Sequence, residues 1–270
     1  LTTQRYLLDS AWAQERERLA LLERQQDPGT IRHLEALGVG PGWRCLEVGA
    51  GGGSIAAWLC ERVGASGQVV ATDIDTRFLA ALAYPHLETR RHDLLTDPLE
   101  EGAFDLIHSR AVLWHLAGQQ TALEAALRRL GAALKPGGWM LLENLDSVSS
   151  VIDAGSGARF GELFSRRTAA QQAAMQAGGA DPFYGRRMYR QLAALGLTEL
   201  GSEGRSTMVR GGEPGARYVR LTTEQLRSHI IATGEMTGAE VDEFCALLDN
   251  PDSVWVSPTL MAVWGRRPVA

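Results

Sequence analysis

Between residues 44 and 143 short apolar runs alternate with stretches of helical periodicity, and no other feature constrains the fold as strongly. Residues 44–48, 68–72, 88–91, 104–109 and 139–143 read as strands. Residues 54–63, 76–84 and 121–134 between them read as helices, the last with Leu123, Leu127, Leu130 and Leu134 at helical spacing. Glycine or a Lys-Pro-Gly-Gly run (135–138) closes the first and last of these helices. Strands joined by helices at this spacing form a mostly parallel sheet covered on both faces, so the fold class is α/β.

The first strand runs into Gly49-Ala50-Gly51-Gly52-Gly53 and then directly into a helix. Glycines at such a junction admit positive φ and let a ligand approach the backbone. The helix start offers unpaired N–H groups. Asp73 lies twenty residues beyond Gly53, at the end of the second strand, where a carboxylate can accept both hydroxyl protons of a ribose. A nucleoside-bearing ligand is therefore expected. The dinucleotide pattern Gly-x-Gly-x-x-Gly fails, because Ser54 stands where its third glycine would be. Glu47, two residues before the first glycine, would repel a pyrophosphate and suits a ligand of positive charge.

Four stretches in this order and spacing resemble the class I S-adenosylmethionine-dependent methyltransferases, of the bacterial small-molecule type. They are Leu46-Glu-Val-Gly-Ala-Gly-Gly-Gly53, Val70-Ala-Thr-Asp-Ile-Asp75, His92-Asp-Leu94 and Leu134-Lys-Pro-Gly-Gly138. The resemblance covers residues 30–145 strongly and the final strands loosely. It implies a Rossmann-like, doubly wound, seven-stranded sheet and S-adenosyl-L-methionine as cofactor. It further implies that Gly49, Gly51 and Gly53, with Ala50 between them, wrap the methionine part while Glu47 supports the loop. Asp73 would bind the ribose and Ile74 would pack on the adenine. Asp93 would accept the adenine amino group, the backbone of Leu94 would touch the ring, and a carbonyl near Ser109 would face the ammonium. The implied reaction moves a methyl group to O, N or C of a small organic acceptor, in specialised metabolism. The alternative is a non-methylating reaction, a cyclisation or decarboxylation, on the same fold.

Two catalytic candidates follow the fourth strand. His115 is either a base for an acceptor proton or a ring packed beside the cofactor pocket. Arg110 either anchors a carboxylate or forms an ion pair with Asp105 or Glu143. Glu143 and Asp146 flank the end of the fifth strand, with a solvated or capping role expected. His108 reads as a core residue and His92 as a neighbour of the adenine. His33, His86 and His229 have no acidic or thiol companions at ligand spacing, so no metal is expected. Arg18 reads as an exposed helix residue, with the methionine carboxylate as its alternative partner. Arg166-Arg167 and Arg186-Arg187 read as solvated faces able to attract an anionic acceptor.

Outside the alternating core, residues 3–26 read as an amphipathic helix with Leu8, Trp12, Leu19 and Leu22 on one face. It is broken at Asp27-Pro28-Gly29 and followed by a second helix over 30–37. Residues 146–185 read as helical pieces inserted as a lid, with Phe160, Phe164, Met175, Phe183 and Tyr184 as its apolar walls. A helix over 186–195, a strand over 197–209, two helices and a strand over 254–264 complete the sheet. The second of those helices opens on the capping box of Thr237 and Glu240. The organisation expected is one methyltransferase domain: a helical cover (1–40), the cofactor-binding core (41–145), the lid (146–185) and the completion of the sheet (186–270).

A chain of 270 residues with 45% hydrophobic and 22% charged residues has the make-up of a folded α/β protein, not a disordered one. A net charge of −5 lacks the basic footprint of a nucleic-acid binder. No apolar run reaches membrane-spanning length, and residues 1–6 have no signal-peptide core. Three cysteines without Cys-x-x-Cys spacing point to free thiols in a cytoplasmic setting. The partner expected is a small-molecule acceptor, with no nucleic acid and no membrane; a homodimer is allowed.

Overall fold

The computed structural model describes residues 7–8 and 11–269. In chain order its elements are α1 (Glu15–Ala36), β1 (Arg44–Val48), α2 (Ser54–Val63), β2 (Gln68–Asp73), β3 (Leu87–Arg91), β4 (Phe104–Arg110), α3 (Gln120–Ala133) and β5 (Leu134–Asp146). There follow β6 (Val151–Ile152), α4 (Ala158–Ala177), α5 (Met188–Ala194), β7 (Thr198–Arg205), β8 (Met208–Arg210), α6 (Pro214–Gln225), α7 (Arg227–Ala232), α8 (Gly238–Leu247), β9 (Val254–Val256) and β10 (Thr259–Arg266). Seven strands form one sheet in the order β3-β2-β1-β4-β5-β10-β7. Only β10 runs against its neighbours. Strand order reverses between β1 and β4, so the crevice beyond their carboxyl ends is where such a sheet takes a ligand.

The two-residue period of the strands divides the core. Cys45, Val69, Leu106 and Leu141 point to the face covered by α2 and the end of α1, against Leu34, Leu59 and Val63. Leu46, Val70, Ile107 and Met140 point to the other face, against Leu123, Leu127 and Leu130 of α3 and Leu192 of α5. All of these side chains are buried, which is why the strands read as nearly continuous apolar runs.

A second apolar cluster lies apart from the sheet. Phe160 and Phe164 of α4 pack on Phe244 of α8 and Trp255 of β9, with ring centroids 5.7–6.4 Å apart. A three-stranded antiparallel sheet, β6-β9-β8, is built from strands that the sequence pattern merges with longer ones. The expected strands over 197–209 and 254–264 each break in two. The breaks lie side by side: Ser257 donates its N–H to the Thr207 carbonyl (2.9 Å), and Thr207 donates its own to the Ser257 hydroxyl (3.0 Å). Pro258 has no N–H for the ladder, so both chains leave the large sheet together.

Other expectations change as well. The break at Asp27-Pro28-Gly29 is absent, and α1 runs through it to Ala36. Proline there costs about 3 kcal/mol of helix stability, but each neighbour is tied down. Asp27 accepts from Arg110 and Ser54. Gly29 leaves room for the Arg205 guanidinium, which would otherwise meet a Cβ at 1.4 Å. Arg205 also donates to the Gln26 carbonyl. The part of the first expected helix over 3–6 and 9–10 lies outside the described residues; residues 11–14 are turns and bends. The helix over 76–84 shrinks to a 3₁₀ turn, Leu79–Ala81, because Pro85 drives Tyr84 away from helical backbone and Leu79 and Leu82 press onto Ala56 and Gly53. Three helices, not two, precede β9; the capping box of Thr237 and Glu240 opens α8 as expected. Among the described residues no helix is long and apolar enough to cross a membrane.

The insertion is fastened to the core by backbone contacts at 114–118, where Asp181 donates to the Trp114 carbonyl at 2.8 Å. Gly118 donates to the Gly179 carbonyl at 2.7 Å, and a Cβ on Gly118 would lie 2.6 Å from that oxygen. Backbone cannot yield as a side-chain tip can, so Gly118→Ala should destabilise the protein by about 1–3 kcal/mol in urea unfolding. An unchanged midpoint would show that this contact does not bear on stability.

Candidate functional site

At the reversal point lies a cavity of ≈ 220 Å³. The glycine loop forms its floor. Gly49 and Ala50 donate to the Thr72 carbonyl at 2.8 and 3.0 Å, and Gly51 donates to Asp73 Oδ2 at 2.9 Å. Gly49 has φ 70°, and a Cβ there would lie 2.1 Å from Val112 Cγ2, so no other residue fits. Gly53, at φ 91°, turns the chain into α2 as its left-handed N-cap and does not itself line the cavity. Asp73 also takes the Asp75 N–H on Oδ1 at 3.0 Å. Burial pushes its carboxyl up, while these backbone donors pull it back. Beside it Ile74 stands half exposed at the cavity wall, an apolar side chain with an open face. Asp93 and Leu94 line the same end. Asp93 Oδ1 accepts from the Leu95 N–H, and the Leu94 carbonyl accepts from Arg129.

The opposite wall begins one residue later than expected. Ser109 is fully buried, and its hydroxyl donates to the Val48 carbonyl at 3.0 Å, so it ties β4 to β1 and leaves the cavity to Arg110, Ala111 and Val112. Ala111 sits at φ 58°, a left-handed conformation that costs a non-glycine residue about 1–3 kcal/mol. Its N–H is held by the Glu143 carbonyl and its carbonyl by the Trp114 indole. His115 completes this wall, its ring 4.3 Å from that of Trp114. Burial, and after it the charge of Arg18, push the imidazole down to about 3.

Arg110 joins neither Asp105 nor Glu143. It donates to Asp27 Oδ1 (2.8 Å) and Thr30 Oγ1 (2.9 Å), both on α1. Glu47 does reach the cavity, but its carboxylate accepts from His108 Nδ1 at 2.6 Å instead of holding the loop. The reason is register: Glu47 pairs with His108 across β1 and β4, and both point to the α1 face. His108 is fully buried and also donates from Nε2 to Glu143 at 3.3 Å, so both ring nitrogens donate and the ring is an imidazolium. Burial opposes the charge, yet Glu47 and Glu143 push the ring up to about 9. Burial works against the Glu143 carboxylate too, but His108, Arg110 and Thr30 hold it below its usual range. Thr30 donates to Glu143 at 2.5 Å. One hydrogen-bonded chain thus runs Glu47, His108, Glu143, Thr30, Arg110, Asp27. Glu143 is a buried member of it, not a solvated cap.

The cover is α1, with Tyr218 of α6, and no residue of 146–185 lines this cavity. Arg18 is not exposed: it is 2% accessible and holds Glu15 through two bonds of 2.7 Å. Glu23 lies on the glycine loop, where a Gly52 Cβ would be 2.3 Å from it, and accepts from the Ser54 N–H at 3.4 Å. Burial pushes its carboxyl up. Glu15, Glu23, Glu47, Asp73, Asp75 and Asp93 line the cavity against two arginines, Arg18 and Arg110, each already paired with a carboxylate. Such a wall disfavours a phosphate and favours a cation. Together with the half-exposed Ile74 and the ribose-competent Asp73, it fits an adenosyl group carrying a sulfonium and an ammonium. Of the remaining candidates, His92 lines the cavity near Asp93. Asp146 is held by Arg186 through two bonds of 2.6 Å. Among the described residues no cluster of His, Cys, Asp or Glu is arranged to hold a metal.

A family described as a methyltransferase domain matches residues 46–142 of this chain. The methyltransferase str2 of Strobilurus tenacellus is 28% identical over 164 residues, which are 60% of this chain and 55% of that protein. The chain therefore spans little more than half the length of that curated relative. Among solved structures, the YcgJ protein of Bacillus subtilis superposes with a TM-score of 0.56 at 13% identity, covering 87% of this chain and 96% of that one. The geranyl diphosphate C-methyltransferase of Streptomyces coelicolor, solved with S-adenosylhomocysteine, gives 0.50 at 16% identity, covering 97% and 86%. These structural likenesses concern the fold.

The imidazolium has a measurable consequence. Unfolded, His108 titrates near 6.5; folded, near 9. Its contribution to stability is complete below pH 6.5 and is lost as the pH rises through 9. His115 acts in the other window: its folded value of about 3 makes the fold lose stability as the pH falls from 6.5 towards 3. Urea midpoints should therefore decline from pH 6.5 to 9, and the decline should be shallower in His108→Gln. Equal slopes in the two proteins would contradict a buried imidazolium.

Proposed function

We propose, for a chain that carries a class I S-adenosylmethionine-dependent methyltransferase domain, that it moves the methyl group of S-adenosylmethionine to O, N or C of a small organic acceptor, in specialised metabolism. The observation that carries this reading is the acidic wall over the glycine loop, in a cavity whose two lining arginines, Arg18 and Arg110, are both paired with carboxylates. A nicotinamide dinucleotide would set its pyrophosphate against Glu23, Glu47 and Asp73. When bound, S-adenosylmethionine supplies an electrophilic methyl on a positively charged sulfur. The protein's part is to hold and exclude. Asp73 would take the ribose hydroxyls with the lone pairs left over from Gly51 and Asp75, Ile74 would cover one face of the adenine, and Asp93 would meet its edge. Arg18 stays neutralised by Glu15, so the cover adds no net positive charge above the sulfonium. Enclosure by α1 and Tyr218 keeps water from the reacting atoms.

His115 belongs to this site as a wall, not as a base. A ring held to about 3 gains little by taking a proton from an acceptor hydroxyl or amine. Its neutral edge beside Trp114 restricts how the acceptor lies, and methyl transfer depends chiefly on alignment of the reacting atoms.

The test is incubation of the protein with S-adenosylmethionine and candidate acceptors, with S-adenosylhomocysteine as the product measured. Cofactor binding without that product would point to a non-methylating reaction on the same fold. In calorimetry, Asp73→Ala should weaken S-adenosylhomocysteine binding by about 1–3 kcal/mol, through loss of charge-assisted hydrogen bonds; an unchanged dissociation constant would remove Asp73 from the site. His115→Ala should lower the methylation rate less than about tenfold, whereas loss of a general base would cost about 10²–10⁴.

A further inference from the structure

A second, smaller cavity of ≈ 80 Å³ shares Trp114, Leu145 and Tyr218 with the first. Its other walls come from the insertion, α6 and the small sheet, and include Phe164, Met175 and Trp255. Thus Phe164 and Met175 act as the apolar walls expected of the insertion, but here, while Phe160 and Tyr184 are buried in the two cores and line neither cavity.

Arg167 of α4 lines this second cavity. It is 8% accessible, and its guanidinium lies over the Phe244 ring at 5.8 Å. Nε donates to Thr223 at 2.9 Å. Among the described residues Arg167 forms no ion pair. The arginines taken as candidates from the sequence differ from it: Arg18 has Glu15, Arg110 has Asp27, Arg166 has Glu240, Arg186 has Asp146 and Arg187 has Asp181. Burial pushes the Arg167 side chain down to about 10, opposed only by Cys245 and Tyr218 and by no carboxylate among the described residues. Two further polar groups of the same cavity wall, the hydroxyls of Thr168 and Thr222, are buried without hydrogen-bond partners. Among the described residues, a buried cation without a carboxylate and two buried hydroxyls without partners cost the free protein stability. Together they form a donor set for one anion.

We infer that this cavity seats a carboxylate of the methyl acceptor, held by Arg167, Thr168 and Thr222, with the acceptor's apolar body lying along Trp114 and Leu145 towards the larger cavity. The inference rests on the methyl-transfer reading of that larger cavity and names the class of acceptor: an apolar monocarboxylic acid. One guanidinium balances one negative charge, so a dianionic phosphate is less well matched.

Calorimetry with benzoate, hexanoate, phenyl phosphate and benzyl alcohol tests this on the full chain, with and without S-adenosylhomocysteine. At least one of the two carboxylates should bind about 10- to 100-fold more tightly than the alcohol, the range of a charged hydrogen bond, and Arg167→Met should abolish that preference. The affinity for S-adenosylhomocysteine should be the same in wild type and Arg167→Met. The variant should melt no lower than wild type, since replacing a lone buried charge by an apolar side chain of similar length relieves its desolvation. Thr222→Val, which removes one donor and keeps the charge, should weaken carboxylate binding while leaving a preference over the alcohol. Failure of both carboxylates to outbind the alcohol, or a preference that survives in Arg167→Met, would overturn the proposal; so would tighter binding of phenyl phosphate. If S-adenosylhomocysteine does not bind at all while the carboxylate preference is seen, the methyl-transfer reading fails and the anion seat stands.

Discussion

A protonated imidazole buried between two carboxylates holds the carboxyl-terminal edge of this sheet together. His108 on β4 reaches Glu47 on β1 with one nitrogen and Glu143 on β5 with the other, so three adjacent strands are bound by charge where their side chains leave the apolar core. Removing one partner of such a buried set leaves an uncompensated charge, at a cost of about 3–5 kcal/mol. The set extends through Thr30 and Arg110 to Asp27, which fixes α1 across the strand ends. The same helix, a turn or more earlier, lays Glu23 on the glycine loop and buries Arg18 and Glu15 over the cavity. The floor and roof of the site are thus parts of one electrostatic unit.

This arrangement explains the sign of the cavity. Carboxylates needed to build the clamp and the loop also face inwards, and the two arginines that line the cavity are consumed by partners. The result is a negative wall in a low-dielectric enclosure, where a fixed positive charge on a ligand counts for more than in water. Separating this region from the second cavity are Trp114, Leu145 and Tyr218, and beyond them the charge pattern inverts: Arg167 has no carboxylate among the described residues. One enclosure is lined by carboxylates and its neighbour by a buried arginine without one among the described residues.

The sheet was largely legible because its signals are local. Strands β1, β2, β4 and β5 show apolar runs, the glycine loop marks the junction of β1 with α2, and Asp73 marks the tip of β2. Elements governed by distant contacts were not. The run of Asp27-Pro28-Gly29 carries every local mark of a helix end, and only Arg110, Ser54 and Arg205, far along the chain, keep α1 intact. Thr207 and Ser257 split two strands by pairing with each other across fifty residues. The same holds within the site. Gly49, Asp73, Ile74, Asp93 and His115 all lie at one cavity, as their motifs imply, while Gly53 and Ser109 support it from behind. The partnership of His108 with Glu47 and Glu143 has one signal in the sequence: with the strands in register, residues 47, 108 and 143 fall near strand tips on one face of the sheet. Arg18 and Arg167 look like surface residues in sequence, because nothing local shows that other helices will cover them.

A crystal structure of the protein with S-adenosylhomocysteine tests the central claim most directly. The adenosine should lie across the carboxyl ends of β1 and β2, its ribose hydroxyls on the Asp73 carboxylate and its adenine against Ile74. The His108 bridge between Glu47 and Glu143 should remain intact beneath it. Density for the ligand elsewhere, or a bound adenosine that leaves Asp73 and Ile74 untouched, would contradict the account.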